Sequence, residues 1–395
     1  MKTRNLIYLA QLEEYDIKRI KIWIKDNPNK SVSEVKHHLK LTSKTCLIYF
    51  LTTILSPFTG NQKALFLTLK LLIPFDTLIK NILVFLATVK WKIFNKNTTV
   101  IGITGSWGKT TTKEALYTIL KKLPHTSYTP SNHNTLLSIA KQSLLLSPKT
   151  KIFIVEIGAY KIGDIKKVCQ IIKPKIGILT AIGPMHLERF NTLENILKAK
   201  MELAQSLPKS GIFWAPKDLS KQLIPFSLPQ NTHYFTNYSE IYFSLGFYFH
   251  LLQKDIQKTL KSIPPTEHRQ QIIQNGPITV IDDTYNSNPA GFIKALNNLK
   301  NIKSVDKILV TPGMIELGNL QFSENARLAK IAGEICNHII IVGQTNQKAI
   351  LSGLKNTSAK IHLVQNLSET EKLLPSLYKG PTAVLFENDL SDQYF

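Results

Sequence analysis

The apolar positions of this 395-residue chain change their rhythm twice. In "LIYLAQLEEYDIKRIKIWIKDNP", starting at Leu6, apolar and charged residues alternate at roughly helical spacing. The pattern predicts a helix ending at the helix-stopping pair Asn27-Pro28. Three apolar runs follow, "CLIYFLTTILSPF", "ALFLTLKLLIPF" and "NILVFLATV". None reaches the roughly 18 uncharged residues of a clean transmembrane helix, and Lys70, Pro74, Asp76 and Lys80 interrupt the second and third. Residues 64–90 could form one span whose charges snorkel or face protein, a hairpin lying in a membrane interface beside "KWKIFNK", or a buried helical pair. The reading adopted is that residues 45–92 associate with a membrane surface.

From residue 97 strands and helices alternate. "TTVIGITG" is a β-rich run ending in glycine, and "KTTTKEALYTILKKL" continues as a helix. "KIFIVEIGA" has the unbroken apolar character of a buried strand. "IKKVCQIIKPKIGILTAIG" reads as helix, break at Pro174, strand, and "TLENILKAKMELAQSL" is a helix that Gly211 stops. A third region opens near residue 270. Its strands lie in "GPITVIDDTY", "DKILVTPGM", "HIIIVGQ", "KIHLVQ" and "PTAVLFEN", and its helices in "PAGFIKALNNLKNI", "ENARLAKIAGEICN" and "QKAILSGLK". Such alternation predicts mostly parallel sheets covered on both faces. The expected divisions are 1–96, helical and basic; 97–268, a central domain; and 269–395, a smaller α/β domain.

Hydrophobic content of 43% with 19% charged residues is ordinary for a folded chain. The formal net charge of +22 is not. It favours anionic partners such as nucleic acid, anionic lipid or phosphorylated substrates, although a lysine-rich genome gives the same bias. Nucleic acid is set aside, because the lysines are spread along the chain and no RNP-type aromatic motif, zinc pattern or basic recognition helix accompanies them. Cys46, Cys169 and Cys336 show no CxxC spacing, which suits a reducing cytosol. The N-terminus lacks the apolar core and cleavage site of a secretory signal. A cytoplasmic protein at the inner face of the plasma membrane is expected.

The stretch "VIGITGSWGKTTTKEAL" carries the chemistry. Gly102, Gly105 and Gly108 stand between a strand and a helix, followed by Lys109, Thr110 and Thr111. Glycines let backbone N–H groups curl around phosphate oxygens, and the helix N-terminus adds partial positive charge. Lys109 can reach terminal phosphates and the Thr110 hydroxyl can ligate Mg²⁺. Ile103 stands where the strict GxxxxGK[ST] pattern has its first glycine, leaving TGSWGKTTT. The context identifies a nucleoside triphosphate site.

The stretch GITGSWGKTTT resembles the ATP loop of the Mur ligase superfamily, the ATP-dependent amide ligases of peptidoglycan and folate biosynthesis. "EIGAYKIGDI", "GPMHLERFNTLENILKAK", "EHRQQIIQNG", "DDTYNSNPAGFIKAL" and "TPGMIELG" are similar to its D-alanyl-D-alanine-adding branch, from about Thr99 onwards. The resemblance implies a central phosphate-loop ATPase-type domain and a smaller Rossmann-like C-terminal domain. It also implies a reaction. ATP phosphorylates the carboxylate of a muramyl-peptide, and the amine of a dipeptide then displaces phosphate. Gly105, Ser106, Gly108, Lys109, Thr110 and Thr111 would hold ATP. Thr110, Glu156, His186 and Lys200 would hold what is expected to be two Mg²⁺ ions, with Lys109, Lys200 and His186 as the catalytic set. The family's equivalent of Lys200 is typically carbamylated, and Lys198 is its solvated neighbour. Arg269 and Asn286 would contact nucleotide from the last domain, and Ser131–Asn134 resembles a segment on the acceptor side.

Two stretches depart from the family. Residues 1–96 do not look like the α/β module that grips the UDP-sugar, so the acceptor is held another way, or is lipid-linked, or differs. Between Gly211 and Lys261 the chain is compressed, and Ser239-Glu240 falls where an adenine-contacting asparagine is expected. The other readings considered are a Mur-like ligase for a different acid and amine, and a membrane-tethered scaffold that binds ATP without turnover.

Overall fold

A computed structural model describes residues 1–28, 30–32, 34, 38–131, 133–263, 266–285, 287–303, 306–378, 380–390 and 392–394. The chain forms two compact units. One comprises Met1–Ile79, Glu267–Met314 and Phe322–Phe395; the other comprises Lys80–Thr266 and Ile315–Gln321.

The N-terminal region is helical, as its pattern predicts, but the first helix is two: α1 (Thr3–Leu12) and α2 (Ile17–Asp26). Asp16 accounts for the break. Its side chain accepts hydrogen bonds from Lys18 N and Arg19 N, capping a new helix, while Glu14 and Tyr15 turn at positive φ. Then α3 (Ser43–Thr59) and α4 (Asn61–Phe94) run as two helices joined at Gly60. The second and third apolar runs are therefore one 34-residue helix that passes through Pro74. Proline removes one N–H from the ladder, and the leucine- and lysine-rich turns on either side carry the helix on. Leu6, Ile7, Leu9, Ile20, Trp23, Ile48 and Leu65 share one apolar cluster. Phe50, Ile54 and Phe58 of α3, and Leu71, Phe75 and Leu78 of α4, are exposed. Among the described residues α4 alone is long and apolar enough to cross a membrane; its most apolar 18-residue window has mean hydropathy 1.7 and is 6% buried.

The remainder of that unit is a six-stranded sheet. Its elements are β7 (Gln271–Asn275), β8 (Ile278–Asp283), α13 (Pro289–Asn301), β9 (Asp306–Thr311), α14 (Gln321–Ile335), β10 (His338–Val342), α15 (Gln347–Gly353), β11 (Lys360–Val364), α16 (Leu367–Leu377) and β12 (Thr382–Glu387). The order is β11-β10-β9-β12-β8-β7, parallel except for the antiparallel edge pair β7–β8.

The other unit is built from β1 (Thr99–Thr104), α5 (Lys109–Leu120), β2 (Thr126–Tyr128), α6 (Leu136–Leu145), β3 (Ile152–Glu156), α7 (Asp164–Ile172), β4 (Ile176–Leu179), α8 (Leu187–Phe190) and α9 (Leu193–Gln205). It continues through β5 (Ile212–Pro216), α10 (Ser220–Leu223), β6 (Asn231–Phe235), α11 (Tyr238–Tyr248) and α12 (Gln253–Ser262). Its six strands are all parallel in the order β2-β3-β1-β4-β5-β6. Both faces are covered. Val100, Phe153 and Val155 join Ala87 and Trp91 of α4 and the inner faces of α6, α7 and α9, whereas Ile101, Ile103 and Ile154 join α5, α11 and α12. The order places the C-terminal ends of β1, β3 and β4 side by side, where ligands of open parallel sheets bind.

Candidate active site

The phosphate loop links β1 to α5, and two of its glycines are required by geometry. A Cβ on Gly105 would lie 2.0 Å from Thr180 Oγ1, so no side chain fits there. Gly108 caps α5 at φ 78°, in the left-handed region, with Tyr238 Oη 2.9 Å from where its Cβ would be. Ser106 is buried; its hydroxyl donates to Gly183 O at 3.0 Å and accepts from Gly183 N at 3.1 Å. Lys109 Nζ folds back to donate to Gly105 O (2.8 Å) and Ser106 O (3.2 Å). Thr111, in the first turn of α5, is exposed. Tyr238 holds the far side, donating to Thr180 O at 2.9 Å, and burial pushes its phenol pKa up.

Glu156, the last residue of β3, pairs in register with Ile103 of β1, which places its carboxylate beside this loop. It is buried and accepts from Thr110 Oγ1 and Asn134 Nδ2, both at 2.9 Å. Lys113 Nζ stands 3.4 Å from the same carboxylate and donates to Ser131 O at 2.5 Å. The lysine side chain is 0% exposed, so Glu156 keeps a buried counter-charge one helical turn beyond Lys109.

A cavity of ≈ 40 Å³ brings the groups together: Gly105, Ser106 and Lys109 from the loop, Asn134, and His186 with Lys200. On α9, Lys198 points out and pairs with Glu194 at 2.6 Å, half exposed, while Lys200 is 4% exposed. Burial, with the Lys109 ammonium next in effect, pushes the Lys200 pKa down to about 7. His186 stands at positive φ before α8, with its Nδ1 hydrogen-bonded to Glu316 Oε2. Tyr160 meets the His186 ring edge-on at 5.1 Å and carries the Arg189 guanidinium over its own ring at 4.0 Å. A loop with backbone donors and a lysine, and a pair of nitrogen-bearing side chains, stand around one small polar space, and the Glu156 carboxylate is joined to it through Asn134; the set suits a nucleotide's terminal phosphates and a reacting oxygen.

Comparison with known families agrees with that chemistry. The Mur ligase middle domain matches residues 103–248, and the Mur ligase glutamate ligase domain matches residues 268–386. The chain belongs to the Mur ligase family. This Mur ligase is 29% identical over 347 residues to the UDP-N-acetylmuramoyl-tripeptide–D-alanyl-D-alanine ligase of Buchnera aphidicola subsp. Baizongia pistaciae, covering 72% of this chain and 75% of that one. The enzyme of the same name from Rickettsia prowazekii is 27% identical, over 75% of this chain and 76% of its own length. In fold it is similar to MurF from Thermotoga maritima, solved with ADP. The TM-score is 0.68, identity is 24%, and coverage is 78% of this chain and 80% of that one.

Not every residue singled out from the sequence gathers at this cavity. Arg269 lies in the other unit, its guanidinium 4.3 Å from the centre of the Tyr285 ring. Asn286 and Asn132 fall outside the described residues. Ser239-Glu240 has a structural reason. The preceding Asn237 caps α11, its side chain accepting from Ser239 N at 2.9 Å, and Glu240 Oε1 accepts in return from Asn237 N at 2.9 Å, a complete capping box. Both residues serve the helix end. Reasoning from sequence passed over Lys113, Tyr160, Tyr238 and Glu316. For Glu316 a signal was present, because it lies in "TPGMIELG", the motif already quoted for the resemblance. For Lys113 the signal was its place four residues after Lys109 on one helix.

Proposed function

We propose that this chain is an ATP-dependent amide ligase of peptidoglycan precursor synthesis, joining D-alanyl-D-alanine to the carboxylate of UDP-N-acetylmuramoyl-tripeptide through an acyl phosphate. The observation that carries the reading is the convergence of the Gly105–Lys109 loop with Asn134, His186 and Lys200 on one polar cavity. The relatives named for this reaction cover three quarters of their own length in this chain.

In this mechanism the loop amides and the α5 N-terminus cradle the β- and γ-phosphates, and Lys109 leaves its loop carbonyls for the transferring phosphoryl group. Lys113 balances Glu156 while Thr110 and Asn134 orient its carboxylate. Glu316 fixes the His186 ring through Nδ1. The Thr110 hydroxyl and Glu156 carboxylate are hard oxygen donors of the type Mg²⁺ takes, and His186 with Lys200, once carbamylated, would serve a second ion. Mg²⁺ commonly binds through one or two carboxylates together with phosphate oxygens and water. Bound Mg²⁺ would neutralise charge on the phosphates and the incoming carboxylate. Arg269 and Asn286 are assigned to the nucleotide from the 269–395 domain, and 97–268 to the ATP-binding domain.

We also propose that the ligase works in the cytoplasm against the inner face of the plasma membrane. Exposed apolar residues on α3 and α4, among them Phe50, Phe58, Phe75 and Phe85, together with a net charge of +22, support contact with anionic lipid.

The deciding experiment supplies Mg-ATP, UDP-N-acetylmuramoyl-tripeptide and D-alanyl-D-alanine, and follows phosphate release together with product mass. The expected result is an adduct that Lys109→Ala abolishes. ATP turnover without that adduct would reassign the acid or the amine, and absence of turnover with bicarbonate present would refute the ligase reading.

A further inference from the structure

A second cavity, of ≈ 350 Å³, adjoins the phosphate-loop cavity and shares Gly158, Ala159 and Tyr160 with it as a common wall. Lys80 and Val84 from the second half of α4, and Thr135, Leu136 and Leu137 at the start of α6, also line it. This half of α4 is firmly seated. Ala87 and Trp91 are buried in the central core, and Lys90 Nζ donates to Leu144 O (2.5 Å) and Leu146 O (2.7 Å) at the far end of α6. Asn95 Nδ2 donates to Ser147 O at 3.0 Å. Lys80 and Val84 precede Ala87 and Trp91 on the same helical face, so an ordered helix holds them at the cavity.

The cavity has a chemical polarity. Val84, Leu136 and Leu137 are apolar. Asp164 accepts from Tyr160 N and Lys161 N and so holds the shared wall in place. Lys80 is the cation among the described lining residues. At ≈ 350 Å³ the cavity lies at the lower end of the volumes of ligand pockets.

We propose that this cavity is the acceptor subsite and that Lys80 pairs with an anionic group of the acceptor other than the carboxylate being activated. The proposal rests on the ligase reading above. Lys80 and Val84 lie outside both matched family domains, which begin at residue 103, so acceptor selectivity here is set by the N-terminal helix. The anion is a phosphate or a second carboxylate, and the two are distinguishable.

Direct titration of the full chain with UDP-N-acetylmuramoyl-tripeptide, and with N-acetylmuramoyl-tripeptide lacking the nucleotide, tests this without relying on turnover. Lys80→Ala should weaken acceptor binding at least tenfold, Lys80→Arg should retain most of it, and Val84→Trp should abolish it. ADP affinity should stay within about twofold of wild type in all three, which reports a folded phosphate loop. A tenfold loss confined to the nucleotide-linked acceptor assigns Lys80 to phosphate; a loss for both assigns it to a carboxylate. Unchanged acceptor binding in Lys80→Ala and Val84→Trp overturns the subsite, as does a wild-type chain that binds ADP but neither acceptor. Adduct formation in the turnover assay alongside such a result would leave the ligase reading intact.

Discussion

Replacing Lys113 with methionine removes a charge and leaves the volume nearly filled. Lys113 is fully buried with its Nζ 3.4 Å from the Glu156 carboxylate, which is itself almost fully buried. At that separation and an effective dielectric of about 20, the attraction is about 5 kcal/mol. The net loss is smaller, because Thr110 and Asn134 still donate to the stranded carboxylate. Breaking a buried pair from one side typically costs about 3–5 kcal/mol, since the partner stays charged and desolvated. The lower end, about 3 kcal/mol, is expected here. For a unit of this size that corresponds to a fall of about 6–12 °C in the unfolding midpoint.

Calorimetry of the full chain reads it, in the transition that ADP shifts upward, because that transition contains the phosphate loop. The double variant Lys113→Met/Glu156→Gln removes both charges and should recover most of the lost stability, as neutral replacements of buried pairs do. A Lys113→Met shift under about 2 °C, or a double variant as unstable as the single, would refute the claim that this pair is electrostatically coupled.

Three further outcomes are expected. Burial holds the Lys200 pKa near 7, so the amine is neutral and nucleophilic above that pH; ¹³C-bicarbonate should give a carbamate resonance that grows as pH rises through about 7 and is absent in Lys200→Ala. The register pair Asp283 and Glu387 places two buried carboxyls together. Burial raises Asp283 to about 6, and burial with the neighbouring Asp283 charge raises Glu387 well above the usual carboxylate range. Raised carboxyl pKa values stabilise the fold at low pH and lose that contribution as pH rises through them, so Glu387→Gln should raise the unfolding midpoint at pH 8 and change it little at pH 5. The full chain should cosediment with phosphatidylglycerol-containing vesicles, and Phe85→Ser/Ile93→Ser, two exposed α4 positions, should weaken that binding about 100-fold by loss of apolar burial; wild-type protein left in the supernatant would end the membrane assignment.

What could be read from the sequence was local. The phosphate loop declares itself because its glycines, lysine and threonines sit at one strand–helix junction, and the chemistry requires them there in that order. Lys113 looks from sequence like any solvated helical lysine, and only the packing of α5 against β3 turns it into a buried counter-charge. Glu316 reaches His186 across 130 residues of chain, a distance that spacing does not encode. Asn237, Ser239 and Glu240 show the converse. A polar residue near an expected contact position invites a functional reading, but the helix end uses all three groups as a cap.

The N-terminal region was hard to read for a different reason, which α4 makes plain. A helix with one buried face displays a single apolar stripe, and its period betrays it. From Lys80 onward α4 has two. Ala87 and Trp91 are buried against the central domain, and Ile82, Phe85, Val89 and Ile93 on the opposite side are exposed. Added together, the two stripes look like an interrupted apolar run, neither long enough for a clean membrane span nor periodic enough for an ordinary surface helix. The inner stripe is explained by packing within the central unit. Nothing in the described fold explains the outer one, and a protein that leaves so many large apolar side chains in water along one helix exposes more than a monomer's surface ordinarily carries. If the vesicle experiment shows binding, the face that meets lipid would be the one opposite Lys80 and Val84, which line the second cavity. Two apolar stripes on one helix, one packed and one exposed, are therefore what made this stretch ambiguous in the sequence.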